Sequence, residues 1–116
     1  RSSRDVGLPD GVDDHGYMEA LTRHLPDVMA DFAPDFVLYQ AGVDPHVDDK
    51  LGRLALSDAG LEARDRFVVR SCRSRGLPVA SALGGGYGDD ARVVAARHAR
   101  SMLAMAAENA RAGLTA

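Results

Sequence analysis

The sequence predicts an α/β fold, a three-layer α-β-α arrangement with parallel strands, and three observations carry that reading. Two short apolar runs, residues 36–40 and 78–83, each end in a loop rich in turn residues. The stretch between them has helical periodicity and room for a crossover, and such a strand–helix–strand unit is almost always parallel and right-handed. Helical patterns flank the unit on both sides, giving the order α-β-α-β-α without internal repeats.

Residues 1–13 show turn chemistry and no periodicity, with Gly7, Pro9, Asp10 and Gly11 marking a loop or arm. Residues 14–112 read as a single α/β domain. It opens with Tyr17, Met18, Leu21, Leu25, Val28, Met29 and Phe32 at helical spacing, after Asp13 or Asp14 as cap. Pro26 removes a backbone donor there, so the sequence allows either one kinked helix or two short ones. The nearly continuous apolar run from Phe36 to Gln40 is expected of a strand covered on both faces. Ser57 suits the N-cap of a helix from Asp58 to about Arg75, with Leu61, Val68, Val69 and Cys72 as apolar positions and Gly76 and Pro78 as stop signals. After the second run, Asp89 or Asp90 is expected to cap a final helix reaching about Arg111. Its inner stripe is expected to hold Val94, His98, Met102, Met105 and Ala106. Residues 113–116 are expected to fray as a tail.

The chain has 116 residues, 46% of them hydrophobic, which suits one domain with an aliphatic core, since it holds no Trp and only six Phe and Tyr together. A net charge of −3 with both signs interspersed speaks against a nucleic-acid partner. No apolar stretch approaches the roughly 20 residues that span a bilayer, and no leader pattern is present, so a cytoplasmic location without membrane contact is expected. Cys72 is the single cysteine, which excludes an intrachain disulfide and a Cys-rich zinc site and reads as a small packed hydrophobe. A parallel sheet of two strands would leave both edges exposed. Together with a first residue that is Arg, this leads us to expect part of something longer.

If the two runs are neighbouring parallel strands, their loops emerge at the same carboxyl edge, where sites in open α/β sheets form. The first loop carries Asp44, which can ligate a divalent cation or simply cap the turn made with Pro45. His46, Asp48 and Asp49 add ligand types, but a calcium loop is excluded: its sixth position would be Asp49 rather than Gly and its twelfth Ala55 rather than Glu. The second loop is Leu83-Gly84-Gly85-Gly86-Tyr87. It is not a dinucleotide fingerprint, because the last glycine of that pattern would fall on Asp89. Tyr87 can donate a hydrogen bond to a forming oxyanion or pack over the next helix. His98, on the inner stripe of the last helix, reads as a core histidine with one satisfied nitrogen.

The string from Tyr39 to Gly52, Tyr-Gln-Ala-Gly-Val-Asp-Pro-His-Val-Asp-Asp-Lys-Leu-Gly, resembles the late metal-binding segment of zinc-dependent histone deacetylases and their bacterial relatives. Leu83 to Tyr87 resembles their glycine-rich tyrosine motif, and Pro9-Asp10-Gly11 with Asp14 and Tyr17 is similar to the segment leading into that half. The resemblance covers nearly the whole chain and implies the C-terminal portion of an arginase/deacetylase-like fold. It implies Asp44 as a zinc ligand and Tyr87 as the catalytic hydrogen-bond donor to the substrate carbonyl. It also implies Leu51, Gly85 and Gly86 as the substrate-binding wall of an acyl-lysine channel, and Asp49 as a structural acid. The glycine run is one shorter than in many members. The family's adjacent histidine pair does not occur in this sequence, and the Asp-x-His string at Asp44-Pro45-His46 belongs to the late metal-binding segment itself, not to the separate Asp-x-His ligand segment that the resemblance implies.

Three functions therefore compete. The first is part of a zinc-dependent deacetylase hydrolysing an acetylated lysine or related acylated amine, completed by a missing N-terminal half or partner chain and inactive alone. The second is a non-catalytic module that acts by associating with a partner. The third is an α/β anion-binding domain using the glycine loop at a helix N-terminus.

Overall fold

In the computed structural model, which describes residues 3–115, strands β1 (Val37–Gln40) and β2 (Val79–Ala82) run parallel. Val37 lies opposite Val79 and Gln40 opposite Ala82. Helix α1 (Asp14–Phe32) precedes β1, α2 (Asp58–Ser74) forms the crossover, and α3 (Ala91–Thr115) follows β2. The predicted order and strand direction both hold. Residues 1 and 2 of the expected arm, and Ala116 of the expected tail, lie outside the described residues.

Each helix begins where a side chain satisfies an orphan amide. The Asp13 carboxylate accepts from the Gly16 N–H, and the Ser57 hydroxyl oxygen accepts from the Gly60 N–H. Pro26 is carried inside one continuous α1, which decides between the two arrangements its sequence allows. α3 runs to Thr115, past the expected stop, because Gly113 lowers helix propensity without forbidding the conformation.

The core lies on one face of the sheet. Val37, Tyr39 and Val79 pack with Leu21, Leu25 and Met29 of α1 and with Val68 and Cys72 of α2. Tyr39 and Ala41 also meet Val69 and Met105, which brings α3 onto the same face. A third cluster, Val43, Leu56 and Leu61 with Tyr17 and Val94, lies beneath the loop after β1. The expectation that β1 is covered on both faces does not hold among the described residues: Leu38, on the opposite face, is 81% exposed. Phe32, Phe36 and Leu83 are exposed as well.

The buried stripe of α3 also differs from its apolar pattern. Ser101, Ala104, Met105 and Glu108 are buried, whereas Met102 and Ala106 are exposed. The polar members explain the rotation. The Ser101 hydroxyl donates to Asp65, and Glu108 receives Arg70 Nε at 2.7 Å, so both satisfy their burial through ionic partners on α2.

Candidate active-site edge

The loops after β1 and β2 stay side by side beyond the strands. The Ala41 N–H donates to Ala82 O at 2.9 Å and the Val43 N–H to Gly84 O at 3.2 Å, so the ladder continues up to the residue before Asp44. The carboxyl edge expected from the sequence is thus formed, with Asp44 and the glycine loop on it together.

Asp44 is half-buried against the glycines. A Cβ added at Gly85 would stand 2.6 Å from the Asp44 carboxyl carbon, and Gly85 itself has φ +62°, a left-handed conformation that favours glycine. Behind Asp44, a Cβ at Gly52 would collide with the Asp44 carbonyl oxygen, so the acidic loop closes tightly on itself at its two ends.

Asp49 ties the parts together. One of its carboxylate oxygens accepts from the Leu51 N–H at 2.9 Å and the Gly52 N–H at 2.8 Å. The other accepts from the Tyr87 N–H at 2.7 Å, across the two loops. The Lys50 N–H returns a bond to Tyr87 O at 2.9 Å, and Lys50 Nζ pairs with Asp89 at 2.6 Å. Burial works against the Asp49 charge, but the amides of Tyr87, Leu51 and Gly52, helped by Arg97, outweigh it and hold the carboxyl below its ordinary value. Asp49 is the structural acid that the resemblance implied, and its reach to Tyr87 is new.

Leu51, Gly86 and Tyr87 line one open groove of about 390 Å³ with Lys50, Gly88, Ala91 and Val94. Leu51 and Tyr87 are exposed within it, whereas Gly85 lies on the Asp44 side of the loop. Of the two remaining acidic-loop candidates, Asp48 is exposed and pairs with Arg97 at 3.9 Å, and His46 is buried and structural. Its Nδ1 accepts from the Asp48 N–H at 3.0 Å, so the proton sits on Nε2, 3.0 Å from Asp58.

A polar network beneath the edge escaped the reading of the sequence. Arg64 and Asp65 are both buried and paired. Arg64 Nη1 donates to Gly42 O at 2.6 Å, two residues before Asp44. The Asp65 carboxylate receives Tyr39 Oη and Ser101 Oγ, joining β1, α2 and α3. Burial, with the Asp65 carboxylate beside it and Arg64 opposing, pushes the Tyr39 phenol far above its ordinary value, so it remains a donor. The signal was present: buried positions 61, 68, 69 and 72 define a helical stripe whose missing members are 64 and 65.

Among the described residues, no three His, Cys, Asp or Glu side chains converge as a metal site. Asp44 can contribute one ligand to a zinc ion, but a catalytic zinc normally has three protein ligands. The described residues do not complete such a site.

A family model described as "Histone deacetylase domain" matches residues 1–104. An uncharacterized protein of Picosynechococcus sp. is 47% identical over 98 residues, covering 84% of this chain and 33% of that protein. Histone deacetylase 2 of Arabidopsis thaliana is 34% identical over 91 residues, covering 78% of this chain and 24% of that enzyme. Among solved structures, a histone deacetylase homologue complexed with SAHA superposes with a TM-score of 0.65 at 27% identity. That match covers 86% of this chain and 26% of the other. The chain thus spans a third or less of the length of each of these relatives.

Proposed function

The chain belongs to the histone deacetylase family, and from that premise we propose that it forms one side of the active site of a zinc-dependent deacetylase acting on an acetylated lysine or related acylated amine. Its α/β fold is a portion of the arginase/deacetylase-like three-layer fold. The observation that carries the reading is the Asp49 carboxylate, which binds the amides of Leu51 and Tyr87 and so sets both around one groove at the sheet edge that also carries Asp44.

In this reading the apolar side chain of Leu51 and the backbone of Gly86 flank the extended amine-bearing chain of the substrate, with Gly85 behind them on the Asp44 side of the loop. Attack of water on the acyl carbonyl moves charge onto its oxygen. The Tyr87 phenol, exposed in the groove and on a backbone held at both N–H and C=O, donates a hydrogen bond to that oxygen as the charge develops. Zinc, when bound in the assembled enzyme, supplies Lewis acidity. Asp44 would provide one of its ligands, and the others, with the general base, come from polypeptide beyond these residues, either the same protein or a partner chain. A cytoplasmic location belongs to the same reading and rests on the sequence pattern alone.

The test is reconstitution. The chain joined to polypeptide supplying an Asp-x-His segment and a histidine pair should hydrolyse an acetyl-lysine peptide or an acetylated polyamine, and a chelator should abolish this. Absence of turnover in every such assembly would reject the reading. A second reading, a non-catalytic module bound to a partner, is favoured by the lack of a three-ligand group among the described residues and by the exposure of Leu38, Phe32 and Phe36. It predicts stable association without chelator-sensitive hydrolysis.

A further inference from the structure

The glycine loop is held on its other side by a residue with no part in the reading above. His98 of α3 is half-buried, and its Nε2 lies 3.1 Å from Gly85 O. A carbonyl oxygen only accepts, so Nε2 carries a proton and donates it to Gly85 O. Nδ1 is buried with no hydrogen-bond partner among the described residues, so the ring's one polar attachment is the Gly85 carbonyl. The fit is close. A Cβ at Gly86, whose φ is +100°, would stand 3.1 Å from His98 Nε2 and 2.9 Å from Val94 Cγ1. One turn further along α3, the bond from Ser101 to Asp65 anchors the helix to α2. Gly85 is therefore gripped between the Asp44 carboxylate and a histidine on a fixed helix.

We propose that His98 is a positioning residue for Tyr87. Its Nε2–H bond to Gly85 O holds the left-handed Gly85-Gly86 pair, so that Tyr87 meets Asp49 through its N–H and Lys50 through its carbonyl, with the phenol at the groove. The significance of placing Tyr87 rests on the function proposed above; the mechanical claim about the loop does not.

The test compares His98→Leu, which removes the donor, with His98→Gln, whose amide nitrogen can replace Nε2, in the 116-residue chain. Amide hydrogen exchange is read by NMR at Tyr87 and Lys50, with Val68 and Val69 of α2 as the control for global opening. Exchange at Tyr87 and Lys50 should quicken about fivefold in His98→Leu and return to within about twofold of the original in His98→Gln, the loss and recovery of one hydrogen bond. The α2 amides should not change. Unchanged loop exchange in His98→Leu, equal acceleration in the Gln variant, or parallel acceleration in α2 would each overturn the proposal. Should His98→Leu fail to fold, His98→Gln decides alone: native loop exchange supports the proposal, and accelerated exchange or unfolding refutes it. Because exchange measures no turnover, failure of the deacetylase reading would leave this result distinguishable.

Discussion

At the scale of single residues, the proposed function divides the work between Tyr87 and Asp44. Tyr87→Phe removes one hydroxyl and keeps the ring, while the bonds that fix the loop come from its backbone. In the assembled enzyme, turnover should fall by about 10²–10³, the loss expected of one oxyanion donor, with metal content unchanged. Asp44→Ala should lose metal and activity together. Near-normal turnover of Tyr87→Phe, or loss of its zinc, would refute this division. Asp49 makes a separate prediction for pH. Its folded pKa lies below the unfolded value, so its contribution to stability is complete above the unfolded pKa of about 3.9 and is lost as pH falls through the folded pKa. The Tyr87 amide resonance should move in that acid window in step with the Leu51 and Gly52 amides. Movement of Tyr87 alone, or only near neutrality, would show that Asp49 does not link the two loops.

At the scale of elements, α2 does more than join the strands. Its Arg64 and Asp65 reach β1, α3 and the Gly42 carbonyl from within the core. Breaking a buried ion pair on one side leaves the other charge uncompensated, a loss of about 3–5 kcal/mol. Arg64→Met should show a destabilisation of that order in urea unfolding, and Asp65→Asn added to it should restore part. A cost below about 1 kcal/mol would mean that Arg64 is not the charge that Asp65 needs. Glu108 serves the same junction at the far end of α3. Its hydrogen bond from Arg70 lowers its carboxyl, burial opposes this, and Arg111 and Arg66 add to the lowering.

At the scale of the molecule, a well-formed edge sits on a sheet of two strands among the described residues. Helices cover one face, Leu38 faces out on the other, and no described helix is long and apolar enough to cross a membrane. The purified 116-residue chain should bind zinc weakly and show no measurable deacetylation of an acetyl-lysine substrate, since Asp44 has no converging partners among the described residues. Zinc titration by calorimetry and a chelator-controlled activity assay check both parts. Robust turnover by the chain alone would show that its own residues suffice.

Local chemistry by itself determined much of this protein. Ser57 and the Asp13-Asp14 pair announce helix starts, and the helical crossover between two apolar runs strongly favours parallel strands, which brings Asp44 and the glycine loop to one edge. These are short-range effects of hydrogen bonding and chain connectivity, readable along the sequence. Tertiary structure decided where polar side chains spend their bonds. That Asp49 reaches Tyr87, that Arg64 holds the Gly42 carbonyl, and that Ser101 and Glu108 are buried while Met102 is exposed all depend on partners at least 22 positions away. Hydrophobic periodicity records which residues avoid water. It carries no record of which buried charge has found its counter-charge, because that energy exists only when the two elements meet.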